Sequence, residues 1–518
     1  MAYRQARWEE PLVYEQGDPA RGGYLVPRPS KRVKRRVGPL RVPEKAARGG
    51  APRIPGMSEV EVVRHYTRLA EMSYGVDSGP VPLGSCTMKY NPRIAARYAY
   101  HPSLEMLHPL LDEELVQGVL EAMYRVQEWL KHILGMDTCS LHPAAGAHGE
   151  LAGVYAMYWY HKLRGRLGEK REVVVPDSAH GTNPASAAMA GFRVVEVPTA
   201  SDGNVDMDAL KGAVSSATAG FMITNPSTLG LFEENILEIS SLIHSVDGLM
   251  YYDGANLNGI LGHARPGDMG FDLAHVNLHK TFSAPHGGGG PGAGPVCARN
   301  IEVADGIKLG DLLPGPRIVY KGGEYRLEWP RHGPVMIRAW QANTSVVLWS
   351  YIYMLSLGAK GLRLAGEVSV VNTNYFLAKL RELSRYYEVP YAPGRARKHE
   401  AVVSARPLKR QTGATAEDVA KGLLDAGLYA PTIYFPLIVE EALMFEFTES
   451  ETRENIDRYV ERLREIAEAA EKGQEYREWP LNTAARRVDL RTANHPKTVT
   501  PTWRVKERRE RGEIGPLR

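Results

Sequence analysis

The chain of 518 residues predicts an α/β fold, with a mostly parallel sheet in a large domain and a smaller α+β domain behind it. Three observations lead there. Short apolar segments alternate with helix-length amphipathic ones from residue 172 to 253, the pattern of βαβ units. An apolar content of 43% is ample for a core of that size. Finally, the chemistry-bearing residues His180, Asn225, Asp253 and Lys280 all fall at or just after expected strand ends, where open α/β sheets bind ligands.

The elements follow in order. A helix is expected over 58–72, then a Gly- and Pro-punctuated loop over 79–92 that contains Gly84-Ser85-Cys86-Thr87. Asp112 should cap a long helix, with Leu115, Val119, Met123, Val126, Leu130 and Ile133 as its apolar stripe and Gly135 as its stop. A strand around 139–142 leads into a helix opened by residues 143–150. Strands are expected over 172–177, 193–199, 219–225 and 249–253, with helices over 183–190, 207–215 and 234–245 between them. A long apolar helix over 345–367 should join the two domains. The last helix carries Ile456, Val460, Leu463 and Ile466, with a capping box from Thr448 to Glu451 and a stop at Gly473. The domain organisation read from this is a basic Pro/Gly-rich arm over 1–60, a segment with the mouth loop over 61–110, a large cofactor-binding domain over 111–345, a small domain over 346–475 and an extended tail over 476–518.

Composition excludes several classes. The net charge is +4, too balanced for a nucleic-acid binder, although residues 1–53 hold 13 Lys/Arg against 5 Asp/Glu. Lys31, Arg32, Lys34, Arg35 and Arg36 concentrate that excess in what reads either as a solvated arm or as a docking surface for an acidic protein or a neighbouring subunit. Cys86, Cys139 and Cys297 have no metal-ligand spacing, which argues against a disulfide scaffold or a metal site and for a reducing cytosol. No run of about 18 apolar residues suggests a membrane span, and no signal segment is seen, so a cytoplasmic protein is expected.

The chemistry centres on Asn277-Leu278-His279-Lys280-Thr281-Phe282, followed by glycines 287–290. A lysine between a strand and a glycine-rich turn suits a nucleophile toward a carbonyl. Pyridoxal phosphate needs such a lysine for its aldehyde, an acid beside its ring nitrogen and donors for its phosphate. Lys280 is the aldehyde partner. Asp253 suits the ring nitrogen, and His180 can stack on the ring. Gly146, Ala147 and His148 open a helix whose first N–H groups can bind phosphate. His279 is a second candidate for a phosphate or hydroxyl contact, and Asn225 and Ala255 are expected among the cofactor-binding residues. Ser85 and Thr87 are the expected substrate contacts at its mouth, and Cys86 is assigned to packing. The glycine run lacks the Gly-Lys-Ser/Thr ending of a P-loop, so its expected role is conformational.

Five motifs in order, at 83–89, 177–186, 225–230, 253–256 and 277–282, resemble the P-protein of the glycine cleavage system, in the form of the second (β) subunit of its two-subunit version. The resemblance spans roughly residues 55–475 and extends through 431–436 and 444–449. Two departures stand out: Phe447 where the family usually has proline, and His148 where it usually has Gln or Asn. The resemblance implies a fold-type-I pyridoxal-phosphate enzyme with the cofactor bound covalently at Lys280. It also implies glycine as substrate, an aminomethyl group passed to the lipoyl arm of the H-protein, and an α2β2 assembly with subunit 1. Two other readings stay open: another fold-type-I decarboxylase or aminotransferase, and a non-catalytic partner subunit, against which Lys280 itself argues.

Overall fold

The structure is a computed structural model that describes residues 6–8, 10–18, 21, 28–39, 41–50, 54–286, 292–473, 476–495 and 503–513. Its contacts form two compact units, one of residues 76–423 and 428–476, the other of 1–75, 424–427 and 477–518.

A seven-stranded sheet forms the centre of the larger unit, in the order β1-β7-β6-β5-β4-β2-β3. The strands are β1 (Thr138–Ser140), β2 (Glu172–Pro176), β3 (Arg193–Val197), β4 (Thr218–Thr224), β5 (Leu249–Gly254), β6 (Leu273–Val276) and β7 (Val296–Ala298). Neighbours among β2 to β6 are parallel, and β7 runs antiparallel to both β1 and β6. Every residue of β2, β4, β5 and β6 is buried, as parallel strands covered on both faces must be.

Alternation along each strand divides the core. Phe221, Ile223, Met250, Tyr252, Ala274 and Val276 face one apolar cluster, which takes in helices Gln117–Leu134 and Ile236–Ser245 and the start of Thr344–Leu380. Met222, Tyr251 and Leu273 face the other, with helix Gly146–Leu163. That helix lies close because Gly153 has no side chain: a Cβ there would sit 2.2 Å from the Tyr251 ring. The second face is the one on which the site is built.

Further along, the long helix Thr344–Leu380 runs through the boundary expected at 345/346 and is interrupted at Gly358 (φ 61°). A three-stranded antiparallel sheet follows, with Ala442–Phe445 between Ala401–Ser404 and Thr432–Ile433. Phe447 is fully buried and packs on Phe376, Phe445 and Tyr459, so it fills an aromatic cluster. In the smaller unit, Ser58 and Glu61 form a capping box at the start of helix Glu59–Glu71. Glu10 is held against that helix by His65 (2.6 Å) and Arg68.

Three expectations are corrected. Asp112 precedes a 3-10 turn, Glu113–Leu115, and makes no side-chain cap; the long helix starts only at Gln117. The helix expected to close the small domain, Arg453–Glu471, is capped by Thr452, whose hydroxyl accepts from Asn455 N–H, while Thr448 bonds the Ser450 hydroxyl (2.7 Å) in the buried stretch after the strand. Cys139 and Cys297 face each other across β1 and β7 and form a disulfide, leaving Cys86 as the free thiol among the described residues. Antiparallel pairing joins cysteines 158 residues apart, a proximity that spacing along the chain cannot show. The case for a reducing compartment from unpaired cysteines therefore falls away. The glycine run 287–290 lies outside the described residues.

Buried imidazoles make the fold sensitive to acid. His161 is fully buried on helix Gly146–Leu163 and bonds the Ala219 carbonyl through Nε2 (2.8 Å); burial lowers its pKa from 6.5 to about 4. Between those values the unfolded chain binds a proton that the folded chain refuses. The resulting stability is complete above pH 6.5 and is lost as pH falls toward 4, on the order of 3 kcal/mol for one group. The thermal midpoint should therefore drop across this window, and less steeply in His161→Gln. An equal slope in the variant would show that His161 is not held neutral.

Candidate active site

Asp253 is the next-to-last residue of β5, in a row fixed by strand register, opposite Thr224 on β4 and His275 on β6. Its Oδ2 accepts from Asn183 Nδ2 (2.9 Å) and the Thr224 hydroxyl (3.2 Å), and its Oδ1 accepts from Ala255 N–H (3.0 Å). His275 Nε2 lies 3.4 Å from the same Oδ1, while its Nδ1 meets the Tyr251 hydroxyl at 2.8 Å. Burial alone would push the Asp253 carboxyl up; the neighbouring His275, the Asn183 amide and the Ala255 N–H outweigh it and hold the group below the usual carboxylate range. Burial lowers His275 to about 4, against the opposing pull of the Asp253 charge. The result is an ionised acid in an apolar interior, held by at least three donors.

Glu150 stands on helix Gly146–Leu163 above this row. Its carboxyl is raised to about 8, first by burial and then by the charge of Asp253, and it accepts from the Thr182 hydroxyl (2.7 Å). Two acids thus share the site in opposite protonation states. His180 is fixed by the Thr182 hydroxyl (2.9 Å) and by an edge-to-face contact with Phe435 (5.7 Å between rings).

Lys280 lies in the turn that follows β6, its N–H on the Asn277 carbonyl (3.1 Å). Its charge reaches Glu150, His275 and His180 on one side and Cys86, Glu400 and Glu446 on the other. The adjacent His279 is half-buried: Nδ1 is engaged with Ala293 (3.2 Å), its ring meets His286 edge-on (5.1 Å), and burial lowers it to about 3.

The start of helix Gly146–Leu163 is a backbone cradle. A Cβ at Gly146 would fall 2.2 Å from Asn277 Oδ1, and one at Gly294 would fall 2.0 Å from the Ala145 carbonyl. Asn277 Oδ1, Thr281 Oγ1 and Asn183 Oδ1 are buried without a hydrogen-bond partner. A free amine, an ionised acid on the same sheet edge, unsatisfied polar atoms and the open N-terminus of an 18-residue helix form a donor set that fits pyridoxal phosphate. Ala147 is exposed on the first turn, and His148 turns back to accept from Ala144 N–H (3.1 Å).

Some expected residues are not brought to this cluster. Asn225 sits beyond Thr224 on the opposite face, its Oδ1 taken by Glu233 N–H (3.0 Å) and its amide on the Met269 sulfur (3.9 Å). One residue of strand alternation separates it from the row of Asp253. Thr87 is almost fully buried, and its hydroxyl donates to Glu446 (2.6 Å) instead of facing a substrate. Ser85 donates its N–H to Glu400 (2.7 Å).

Other residues went unnoticed in the sequence. Thr224 and His275 become visible only through register. Glu150 could have been found one helical turn after Gly146. Glu400 and Glu446 carry no local signal, because their partners lie more than 300 residues away.

The fold is that of the fold-type-I pyridoxal-phosphate-dependent enzymes. Residues 156–289 match the family described as aminotransferase class-V, and residues 365–486 match the glycine dehydrogenase C-terminal domain. A probable glycine dehydrogenase (decarboxylating) subunit 2 from Aeropyrum pernix is 67% identical over 520 residues, covering 100% of both chains. Its counterpart from Pyrococcus horikoshii is 52% identical over 517 residues, covering 99% of both. Among solved structures, the inhibitor-bound glycine decarboxylase (P-protein) of the glycine cleavage system aligns with a TM-score of 0.71 at 19% identity, covering 86% of this chain and 100% of that one. Lactobacillus brevis glutamate decarboxylase aligns at 0.63 and 13% identity, covering 84% and 96%. The chain belongs to the glycine dehydrogenase (decarboxylating) subunit 2 family.

The cradle gives a direct test. Gly146→Ala should displace Asn277 and weaken uptake of pyridoxal phosphate by about tenfold with secondary structure unchanged. Unaltered affinity would show that the group is held elsewhere.

Proposed function

We propose that this chain is the pyridoxal-phosphate-bearing subunit that decarboxylates glycine and passes the remaining aminomethyl group to the lipoyl arm of an H-protein. The observation that carries the reading is Lys280 one turn beyond β6, on the sheet edge where Asp253 is held ionised. Identity of 67% over the full length to a glycine dehydrogenase subunit supports this substrate over those of other enzymes that share only the fold.

Pyridoxal phosphate supplies, when bound, an electron sink for the pair left as carbon dioxide departs. The protein's part lies in placement. Lys280 would hold the aldehyde covalently, and its amine lies where a substrate amine would have to reach. Asp253 keeps a proton on the ring nitrogen. The N–H groups at Gly146 and Ala147 receive the phosphate, with His148 and His279 beside them as neutral imidazole contacts, and His180 covers the ring. Ala255 serves indirectly, through its N–H on Asp253. Loop 83–92 forms the mouth, with the Ser85 hydroxyl as its substrate contact and Thr87 as an anchor.

The subunit name of the relatives supports a partner subunit 1, and we propose an α2β2 assembly in the cytoplasm. Among the described residues no helix is long and apolar enough to cross a membrane. The basic arm over 1–60, the division of large from small domain near 345 and the tail from 476 are proposed as domain limits.

Lys280→Ala, assembled with subunit 1 and lipoylated H-protein, should lose the visible absorption of lysine-bound cofactor and slow exchange of carbon dioxide into glycine by on the order of 10³-fold or more. A variant retaining both would place the cofactor on another residue. Asp253→Asn should bind cofactor yet lose most turnover, since an amide cannot hold the ring proton. Near-normal rates would overturn that role.

A further inference from the structure

Loop 83–92 is bent at two non-glycine residues, Ser85 (φ 62°) and Thr87 (φ 47°), both in the left-handed region. Such backbone costs about 1 kcal/mol or more per residue and persists where its surroundings fix it. Here the N–H of each strained residue ends on a buried carboxylate. Ser85 N–H donates to Glu400 Oε2 (2.7 Å), and Thr87 N–H and Oγ1 donate to Glu446 Oε2 (2.8 Å) and Oε1 (2.6 Å). Glu400 Oε1 also accepts from Asn256 Nδ2 (2.7 Å), three residues beyond Asp253.

The two acids are 0% and 1% exposed and lie beside His399, with one ligating atom from each of the three within 4.8 Å of the others. His399 is wholly buried, neither ring nitrogen has a hydrogen-bond partner, and Nε2 points at Glu446 Oε1 from 3.8 Å. The imidazole is therefore an unused proton carrier aimed into an acid pair. Around the pair stand Lys280, Lys89 and the thiol of Cys86. Lys89 bonds Glu449 (2.7 Å) and the Thr281 carbonyl (3.1 Å), which ties the loop to the residue after Lys280.

We propose that Glu400 and Glu446, with His399, form a buried proton-holding site that clamps the strained Ser85–Thr87 turn beside Lys280 and serves the reaction as its acid and base. The assignment rests on the functional reading above. A substrate ammonium must give up one proton before its nitrogen can form a bond, and the pair takes it. When the lipoyl disulfide is opened, a carbon–sulfur bond forms and the sulfur–sulfur bond breaks. Its electron pair goes to the second sulfur of the same arm, which takes the stored proton and is left as a free thiol. One proton enters the site and one leaves in each turnover, so no outside oxidant or reductant is required.

The electrostatics agree with one shared proton. Burial, and then the charge of Glu446, drive Glu400 well above the carboxylate range. Glu446 is raised to about 7 by burial, against the opposing pull of Thr87, Lys280 and Lys89. His399 is lowered to about 3, first by burial and then by Lys280 and Lys89, so the proton rests on a carboxyl.

Cys86 is a reporter already in place, because burial raises its thiol while Lys280 lowers it and both glutamates raise it further. The test is the rate of Cys86 alkylation by iodoacetamide in the full chain without cofactor, measured against pH and located by peptide mapping. The wild-type profile should show a second, lower inflection near 7. Glu446→Gln should remove it and speed alkylation at pH 7 by several-fold, because one negative charge beside the thiol is gone. A rate that rises equally at every pH, with the inflection kept, would mean only a loosened loop and would overturn the proposal. Should that variant not fold, the infrared carbonyl band of a protonated carboxyl at pH 6 is compared between Glu150→Gln and Glu150→Gln/Glu400→Gln: a band weakened by the second change is expected, and an unchanged band contradicts the assignment. These readouts need no cofactor. A missing inflection in a chain whose Lys280 variant is inactive would therefore sink the proton site alone.

Discussion

Keeping Asp253 charged inside an apolar sheet is the constraint on which the rest of the site depends. An isolated carboxylate in such a place would take up a proton. It stays ionised because β4, β5 and β6 align Thr224, Asp253 and His275 in one row, and because Asn183 and Ala255 aim donors at it from the ends of neighbouring elements. Parallel pairing sets this register, and a slip by one residue on either side would turn the donors to the opposite face. The same charge then acts outward. Burial and then this charge raise Glu150, so that the acid nearest the helix start stays protonated, and the approach of that helix depends in turn on the bare backbone of Gly146, Gly149 and Gly153.

A second set of buried acids organises the mouth. Glu400 and Glu446 come from segments more than 300 residues beyond the loop they hold, so the turn at Ser85 and Thr87 exists only in the folded chain. Lys89 extends the tie to the turn of Lys280. The lysine thus stands between two acidic neighbourhoods, one built on the sheet and one on the loop.

Much of this was legible in the chain. The alternation of short apolar strands and helices located β2 to β5 to within a few residues, because strands buried on both faces are written as continuous apolar runs. Asp253 and Lys280 were legible because each closes such a run. What escaped depends on partners far away in sequence. Strand alternation turns Asn225 toward Glu233 and Met269, although it directly follows Thr224. Thr448 looked like a cap because it precedes an acid by three residues, yet the helix begins after Thr452, while Thr448 is engaged with Ser450. The pairing of Cys139 with Cys297 follows from antiparallel strands and leaves no trace in their spacing.

The central claim, that Asp253 is held ionised to keep a proton on the cofactor ring, is open to one direct measurement. Full-length protein loaded with ring-15N pyridoxal phosphate should give the nitrogen-15 shift of a protonated pyridinium from pH 6 to 9, and the shift of a neutral pyridine in Asp253→Asn. A neutral ring nitrogen in the unaltered protein at pH 7 would contradict the account.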